Sequence, residues 1–287
     1  MLAKAATLPV DMAFVDLEDA VPPAQKTDDT RARAARALTE QTWRAPTLAV
    51  RVNALATEWG IRDVAVVVER AGASLDCIVL PKIETVDDVE AADLLLSELE
   101  ATFAVGRRIG LEAQIESARG LVEVERIASS SSRLEALVFG PGDYAASLGV
   151  VQRSIGAIDP AYPGDQWHYA RSRIATAAHA FGLVPVDGPY AAIGDLTGLR
   201  ESALRARLVG FQGKWVVHPD QVVVVNEVFS PTDAELEQAH RVLDALGQAA
   251  DAGRGAALFE GEMIDEASRR LAEAVVSRAL AAGLESG

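Results

Sequence analysis

The amino-acid sequence predicts an α/β protein, and a TIM-type (β/α)8 barrel is the favoured architecture. Short apolar runs alternate along the chain with longer Ala-, Leu-, Glu- and Arg-rich segments of helical period, which is the order of elements in a parallel sheet. The runs CIVL and WVV are continuously apolar, and AVRV is apolar apart from its arginine, as expected for strands that are covered on both faces. An open doubly wound sheet is the alternative, and the number of strands separates the two folds.

Apolar runs bounded by turn residues predict seven strands. These strands are expected at residues 13–18, 47–53, 77–83, 109–116, 134–143, 184–190 and 213–219. Helical periodicity predicts the intervening helices at residues 28–39, 58–71, 86–99, 118–127, 167–181 and 195–208. The repeating strand-then-helix unit favours the barrel over the open sheet.

Residues 1–8 predict the end of a helix rather than a strand, because LAKAA favours a helix and Pro9 ends it. A barrel needs a strand before that helix, so this sequence is expected to lack the first strand of the barrel. We therefore expect the native polypeptide to extend upstream by roughly 15–30 residues, about half a βα repeat.

Residues 230–287 lie beyond the strands of the barrel and are predicted to form a separate C-terminal segment. Thr232 or Asp233 is the expected N-cap of a helix that runs to about residue 250, and a hairpin at 256–263 and a last helix follow. Such a segment can serve as a lid, as an oligomer arm or as outer packing. The predicted domains are a catalytic barrel, residues 1–229, and a helical lid or oligomerisation segment, residues 230–287.

The composition excludes several classes of partner. The 287 residues carry a formal net charge of −15, and no basic patch is evident that would bind nucleic acid or an anionic membrane. The one cysteine, Cys77, lies within an apolar run, so a disulfide scaffold is excluded and a core thiol is expected. The sequence contains no run of about 20 uninterrupted apolar residues that would suit a membrane span. We expect a cytoplasmic protein.

Two carboxylates stand where a predicted strand gives way to a loop. Glu116 ends the run IGLEAQIE, and Asp143 follows FGPG. Because the carboxyl ends of parallel strands open on one face, we expect these two acids to converge there. Carboxylate oxygens with room for water suit Mg²⁺, and Gly140 and Gly142 permit a tight turn close to a ligand. The alternative is that each acid is a solvated loop residue or a helix N-cap.

Further charged and polar side chains end the neighbouring strands, so several acids, an arginine and a lysine collect on one face. Charges that point into a barrel are costly unless they are paired or bind a ligand. A structural ion-pair network, such as Arg51 with Glu18, is the alternative interpretation. Lys26, in the loop after DLEDAV, is either a solvated lysine or a contact for an anion. The strand-end residues are Asp16, Glu18, Asp19, Arg51, Asn53, Pro81 and Lys82.

Several motifs, taken in order, resemble those of one enzyme family. They are DLEDAV followed by Lys26, RVN at Arg51, LPK at Lys82, QIES at Glu116, FGPGDYAASLG at Asp143, GKWVVHP at His218, and FEGEMIDEA near the C-terminus. Over nearly the whole chain they resemble the HpcH/HpaI aldolase and citrate lyase β-subunit superfamily. Within it, the sequence most resembles the CoA-ester lyases that act on malyl-CoA, β-methylmalyl-CoA or citramalyl-CoA.

The resemblance implies a Mg²⁺-dependent TIM barrel, with Mn²⁺ as the alternative metal. Glu116 and Asp143 would hold the metal and contact the substrate. Arg51 would bind the substrate and stabilise its enolate and thioester oxygens, and Glu18 and Asp19 would support the same catalytic site.

The resemblance also implies features further from the metal. Lys26 and Lys82 are candidates for contacts with CoA, which enters as part of the substrate. The C-terminal lid of the family reaches a neighbouring subunit, so a homotrimer or homohexamer is expected. In such an oligomer, Asp265 of the MID motif would act on the acyl-CoA.

The implied activity is that of a carbon–carbon lyase. It would cleave or condense a 3-hydroxyacyl-CoA such as malyl-CoA, and its partners would be an acyl-CoA and a 2-oxo acid, glyoxylate or pyruvate. Within enzymes, the alternative is a protein like the citrate lyase β subunit or a CoA-independent 2-oxo-acid aldolase. A noncatalytic CoA-binding protein is the alternative of another class.

Overall fold

The computed structural model of the chain describes residues 2–284. One sheet is parallel throughout, and its seven strands lie side by side in the order in which they occur in the sequence. These strands are β1 (Met12–Asp16), β2 (Thr47–Arg51), β3 (Cys77–Leu80), β4 (Gly110–Ile115), β5 (Leu134–Phe139), β6 (Val184–Asp187) and β7 (Gly213–Lys214). The predicted parallel α/β class is confirmed, as are the seven predicted strands.

Apart from α1, which precedes β1, the helices of this unit follow the strands, as the alternating pattern predicts. They are α1 (Leu2–Ala5), α2 (Asp28–Glu40), α3 (Gly60–Ala71), α4 (Val86–Thr102), α5 (Ala118–Val122), α6 (Val124–Ala128), α7 (Pro141–Ser147), α8 (His168–Ala180), α9 (Leu196–Leu208) and α10 (Asp220–Phe229). Several predicted bounds are wrong, since the strands expected to reach residues 190 and 219 end at Asp187 and Lys214. The helix expected at 118–127 is interrupted at Glu123. The strand expected to reach residue 143 ends at Phe139, because Pro141, which has no N–H to donate, starts α7.

The sheet is curled, so that its two edge strands approach each other. Phe14 of β1 and Trp215, which follows β7, bring their ring centroids to 4.6 Å. Both rings pack against a buried cluster of Ala49, Cys77 and Val79 from β2 and β3. The strands therefore bend around a common interior, as the wall of a barrel does. A closed eight-stranded barrel and a strand upstream of α1 stay predictions.

The inner face of the curled sheet carries a row of polar side chains on β4. Glu112 is paired with Val79 in the β3–β4 ladder and points to the same face. Its Oε2 atom is buried and has no hydrogen-bond partner within the described chain. Burial, with a smaller contribution from Glu135, raises the pKa of Glu112 to about 7. Gln114 and Glu116 follow at two-residue intervals, so they continue the row towards the carboxyl end of the strand.

A buried ion network joins β6 and β7 to the helices behind them. Asp187 accepts a hydrogen bond of 3.0 Å from Arg171 of α8 and one of 2.5 Å from Lys214 of β7. Lys214 also donates to the carbonyl oxygen of Gly188 at 2.7 Å. Because every buried charge here contacts an opposite charge, the network avoids the large cost of an isolated buried ion.

The chain divides into two compact units, and the boundary falls within α10. The second unit contains α11 (Asp233–Asp251), the antiparallel hairpin strands β8 (Ala257–Phe259) and β9 (Glu262–Ile264), and α12 (Glu266–Ala281). Thr232 forms a capping box with Glu235 at the start of α11. Glu260 and Gly261 have φ angles of 51° and 88°, as in a two-residue type I′ hairpin turn. Within residues 2–284, no helix combines the length and apolarity needed to cross a membrane.

We expect Glu112→Gln to change the pH dependence of the free energy of unfolding. The pKa of Glu112 is about 7 in the folded chain against an ordinary 4.5, so the folded chain retains a proton that the unfolded chain releases. As the pH rises from 4.5 to 7, this carboxyl therefore destabilises the fold, by a total of about 3 kcal/mol. The free energy of unfolding, measured with urea, should therefore fall less between pH 5 and pH 8 in the variant than in the wild type. The exposed Glu90→Gln is the control, and a wild-type pH dependence in Glu112→Gln would contradict the assignment.

Candidate functional site

Glu116 follows β4 directly, and its carboxylate is buried at the carboxyl end of the sheet. The residue is 2% exposed. Its Oε1 accepts a hydrogen bond of 2.7 Å from the backbone N–H of Lys82, and its Oε2 accepts one of 2.5 Å from Nε2 of Gln114. Both carboxylate oxygens are thus oriented, one by the adjacent strand end and one by a side chain of the same strand.

Asp143 lies in the first turn of α7 and is exposed. The structure brings it close enough to Glu116 for the two charges to interact. Burial, and after it the charge of Asp143, raises the pKa of Glu116 to about 8. Two carboxylates that repel each other at a strand end favour a proton or a bound cation between them.

Gly140 makes room for the carboxylate of Glu116. A Cβ atom at position 140 would lie 2.5 Å from Oε2 of Glu116 and 3.1 Å from Nε2 of Gln114. Any larger residue would therefore displace the carboxylate, so the glycine of the FGPG motif is required by this close approach. A Cβ atom at Gly142 would instead lie nearest to the side chain of Ile155, at 3.3 Å, and that side chain can move.

The carboxylate pair fits Mg²⁺ or Mn²⁺ better than zinc. Glu116 and Asp143 offer oxygen ligands, and nowhere in residues 2–284 are three or more His, Cys, Asp or Glu side chains placed to hold a metal. Magnesium prefers oxygen ligands and commonly keeps several water molecules, so two carboxylates suffice. A divalent cation would also remove the repulsion between the two acids.

Arg51, the last residue of β2, is held by three acids. Asp16 is its partner in the β1–β2 ladder and accepts hydrogen bonds from Nε at 2.9 Å and from Nη2 at 2.6 Å. Nη1 lies 3.1 Å from Oε2 of Glu18 and 3.7 Å from Oδ2 of Asp19, and Cζ lies 5.6 Å from the Trp215 ring. Burial lowers the pKa of Arg51, but the three acids outweigh burial and raise it. The guanidinium is therefore a permanent cation in a fixed orientation.

Glu18 is buried between two cations. Its Oε1 accepts a hydrogen bond from Nζ of Lys82, and its Oε2 faces Arg51 without an aligned hydrogen bond. Burial raises the pKa of Glu18, although Lys82 and Arg51 oppose that rise. The ion pair between Arg51 and Glu18 that the sequence suggested as an alternative is present, and it forms part of the same cluster as the carboxylate pair.

Lys82 links the two halves of this cluster. Its backbone N–H binds Glu116, and its side chain binds Glu18. The residue has a φ of 55°, which is uncommon outside glycine. Such strained backbone is found where the surrounding structure fixes it, often at functional sites. The predicted site residues Glu18, Arg51, Lys82, Glu116 and Asp143 therefore lie together.

Lys26 lies beside this cluster, and protein oxygens surround its ammonium group. Nζ donates to the carbonyl oxygen of Glu18 at 2.8 Å, to that of Leu17 at 3.4 Å, and to Oδ1 of Asn53. It also lies 5.1 Å from the centroid of the Trp59 ring. The interpretation of Lys26 as a solvated loop lysine is wrong. A cavity of about 350 Å³ opens next to it, and Glu18, Lys26, Thr57, Trp59 and Lys82 are among the residues that line it.

Asp265 belongs to the second unit, where it is the N-cap of α12. Its Oδ1 accepts hydrogen bonds from the backbone N–H groups of Ala267 at 2.9 Å and Ser268 at 3.4 Å. Helix capping is therefore a sufficient structural reason for an aspartate at this position. Its catalytic role stays a prediction.

Sequence reasoning missed the parts played by Asp16 and Gln114. Asp16 was one of three acids in DLED, and only the strand register shows that it is the bidentate partner of Arg51. Gln114 orients Glu116, and the two-residue spacing between them was the available signal.

Comparison with known proteins identifies the family. The model of the family described as HpcH/HpaI aldolase/citrate lyase matches residues 1–219. The chain belongs to this family. The resemblance carried by the motifs is confirmed, and this HpcH/HpaI family member can be compared with its relatives along nearly its whole length.

Two curated relatives and one solved structure illustrate the similarity. An L-malyl-CoA/beta-methylmalyl-CoA lyase from Rhodobacter capsulatus is 38% identical over 289 residues, which cover 96% of this chain and 89% of the relative. The citrate lyase subunit beta of Escherichia coli is 33% identical over 287 residues, which cover 99% and 90%. The crystal structure of the protein CitE from Mycobacterium tuberculosis in complex with magnesium, acetoacetate and coenzyme A has a TM-score of 0.73 and 31% identity, and the match covers 94% and 90%.

We expect Glu116→Gln and Asp143→Asn each to weaken Mn²⁺ binding by more than about 100-fold, because each replaces a charged oxygen ligand with a neutral amide of the same size. Electron paramagnetic resonance of Mn²⁺ measures the free ion directly. Glu112→Gln is the matched control, since it also replaces a glutamate by glutamine on the inner face of β4. It should keep wild-type affinity for Mn²⁺. Wild-type affinity in both site variants would place the metal elsewhere.

We expect Gly140→Ala to lower Mn²⁺ affinity at least about tenfold, because the added methyl group would overlap the carboxylate of Glu116. Gly142→Ala, two residues away in the same turn, meets a side chain that can move and should bind Mn²⁺ almost normally. Equal effects of the two substitutions would show that stiffening of the turn, rather than overlap with Glu116, is responsible.

Proposed function

We propose that this protein is a Mg²⁺-dependent carbon–carbon lyase that cleaves or condenses a 3-hydroxyacyl-CoA such as malyl-CoA. The products of cleavage are an acyl-CoA and a 2-oxo acid, glyoxylate or pyruvate. One observation carries the proposal: Glu116, whose charge interacts with that of Asp143, is linked by contacts through Lys82 and Glu18 to the fixed cation of Arg51. The enzyme class, a carbon–carbon lyase, agrees with the names of relatives that align with nearly the whole chain.

The metal and Arg51 would share the task of stabilising negative charge. Glu116 and Asp143 would hold Mg²⁺, which supplies Lewis acidity towards the oxygens of the oxo acid. Arg51 cannot lose its proton, and its orientation is set in advance by Asp16 and Glu18. A preorganised donor of this kind typically stabilises a developing oxyanion by ~3–4 kcal/mol. Arg51 is therefore suited to the thioester oxygen of the acyl-CoA enolate.

Proton transfer would fall to Asp265. In the condensing direction, this carboxylate would remove a proton from the acyl-CoA carbon next to the thioester. Under the same proposal, residues 230–287 form the lid, the active assembly is a homotrimer or homohexamer, and the sheet belongs to a complete barrel. Lys82 would contact CoA or the substrate, since its side chain is 45% exposed at the edge of the cavity. A cytoplasmic location stays a prediction.

Three alternatives to this proposal can be separated by experiment. The 33% identity to a citrate lyase subunit beta supports an enzyme of that type as the second candidate. A CoA-independent 2-oxo-acid aldolase uses similar metal chemistry. A noncatalytic CoA-binding protein would bind CoA but would catalyse no reaction at the carboxylate pair.

A substrate screen tests the proposal. Purified protein with Mg²⁺ is incubated with malyl-CoA, β-methylmalyl-CoA, citramalyl-CoA, citryl-CoA and free 4-hydroxy-2-oxo acids, and released glyoxylate, pyruvate and oxaloacetate are measured. Cleavage of a malyl-type thioester that stops when EDTA is added supports the proposal. Cleavage of citryl-CoA alone, or of the free acids alone, supports one of the other enzymes. No turnover of any compound, together with binding of CoA, supports the noncatalytic protein.

We expect Asp265→Asn to reduce condensation activity by at least about 100-fold, since asparagine caps a helix as well as aspartate but cannot accept the proton at neutral pH. Thermal unfolding should be nearly unchanged, so the loss would not reflect melting of α12. Asp265→Ser, which also caps, is a second variant with the same expected loss. Wild-type activity of either variant would leave Asp265 with its capping role only.

We further expect Asp265 to act in a neighbouring subunit. Mixed oligomers of inactive Arg51→Lys and inactive Asp265→Asn chains should then regain partial activity, because some sites combine an intact Arg51 with an intact Asp265. Mixing is verified by tags of different size. No recovery in verified mixed oligomers would indicate that both residues must come from one chain.

A further inference from the structure

The ammonium group of Lys26 has no hydrogen-bond donor left for a ligand. An ammonium carries three N–H groups, and three protein oxygens accept from this one: the carbonyls of Leu17 and Glu18 and the amide oxygen of Asn53. The Trp59 ring covers a further side at 5.1 Å. A phosphate could bind Lys26 only by breaking one of these contacts.

Asn53 is itself fixed by a buried carboxylate. Asp63 of α3 is 1% exposed. Its Oδ2 accepts from the backbone N–H of Asn53 at 2.9 Å and from Nδ2 of Asn53 at 2.6 Å, and its Oδ1 accepts from Nε of Arg31 at 2.7 Å. Because Nδ2 must face Asp63, the amide oxygen of Asn53 must face Lys26. The carboxylate thus determines which way the amide points.

The start of α3 is pressed against the same loop, which holds Asp63 in register. A Cβ atom at Gly60 would lie 2.7 Å from the carbonyl oxygen of Asn53. Helix and loop are therefore in direct backbone contact. Small movements of the Asn53 side chain relative to Asp63 are opposed by this packing.

These contacts converge on the backbone of the DLED loop. Nδ2 of Asn53 donates to the carbonyl oxygen of Leu17 at 2.9 Å, and Lys26 donates to the carbonyl oxygen of Glu18 at 2.8 Å. The carboxylate of Glu18 projects from this fixed backbone to lie between Lys82 and Arg51. Its Oε2 has no aligned hydrogen bond of its own. The position of that oxygen beside Arg51 thus depends on the backbone that carries it.

We propose that Lys26, Asn53 and Asp63 are positioning residues that fix Glu18, and through it Arg51 and Lys82, and that Lys26 does not bind the phosphates of CoA. The kinetic consequences rest on the proposed lyase activity. The structural consequences do not, because they concern only where Glu18 lies. Asp63 acts through Asn53, with no contact to the cavity in which the substrate would bind.

Two thioesters of the same acyl group distinguish a positioning role of Lys26 from a phosphate contact. One is the CoA ester, and the other is the pantetheine ester, which lacks the nucleotide and its phosphates. A misplacement of about 1 Å in a catalytic group can cost about 100-fold in rate. Lys26→Met should therefore lower kcat by about 10–100-fold with both esters and leave the ratio of their KM values unchanged. A raised KM for the CoA ester alone, with a normal kcat for both esters, would overturn the proposal.

Asp63→Asn and Asp28→Asn form a matched pair of variants. Both acids bind Arg31, but Asp63 alone reaches Asn53, whereas Asp28 is exposed and has no contact with the site. Asp63→Asn should lower kcat in the same way as Lys26→Met, and Asp28→Asn should leave it unchanged. Because both variants lose a bond to Arg31, equal losses of kcat would mean that general destabilisation is responsible, and the proposal would fail.

Chemical rescue and crystallography complete the test. Added ethylammonium should restore part of the kcat of Lys26→Ala, since it returns the three donors without the side chain. Absence of rescue, with the site open in the crystal, would count against the proposal. In crystals of Lys26→Met, the carboxylate of Glu18 should be displaced by about 1 Å or more relative to wild type, and in Asp28→Asn it should not. An unmoved Glu18 in Lys26→Met would overturn the proposal even if no thioester proved to be a substrate.

Discussion

Parallel strands in sequential order place all their carboxyl ends at one edge of the sheet, and this constraint determines most of what the site contains. Charged residues end β1 and β2, a lysine follows β3, and acids follow β4 and β5, so these charges lie together in a small volume. Isolated buried charges of this kind would be too costly to retain. In the structure these charges form ion pairs, of which the bidentate contact between Arg51 and Asp16 is the most complete.

Pairing is nearly complete on the β1–β3 side of the cluster and incomplete on the β4–β5 side. Arg51, Lys82 and Lys26 are all engaged by acids or carbonyl oxygens. On the other side, burial and after it the charge of Asp143 raise the pKa of Glu116 to about 8. The imbalance gives the cluster its chemical character. One side presents a cation whose direction cannot change, and the other presents two oxygen ligands that need a cation from outside.

The strands, the two metal-type acids and Arg51 could be predicted because each is marked by an apolar run that ends in a charge. The role of Asp16 could not, since DLED offers three acids and only the register with β2 decides which one meets Arg51. The contacts of Lys26 could not be predicted either, because two of its three acceptors are backbone carbonyls, which every residue type carries. Likewise, β5 ends earlier than expected because Pro141 favours a first helical turn over continuation of the strand.

The sequential strand order also has a consequence for the timing of assembly. The contact of Lys82 with Glu18 spans 64 positions of the chain. Three other contacts of the site join residues 27 to 35 positions apart: Lys26 with Asn53, Arg51 with Asp16, and Lys82 with Glu116. Each closes a loop of one strand–helix repeat, and loops of that size close readily during synthesis. The cluster draws its five central side chains from β1 to β5 and the turns that follow them. These five side chains can therefore come together on the ribosome before β6 and β7 have been made, and Trp215, which lies against Arg51, can join them only afterwards.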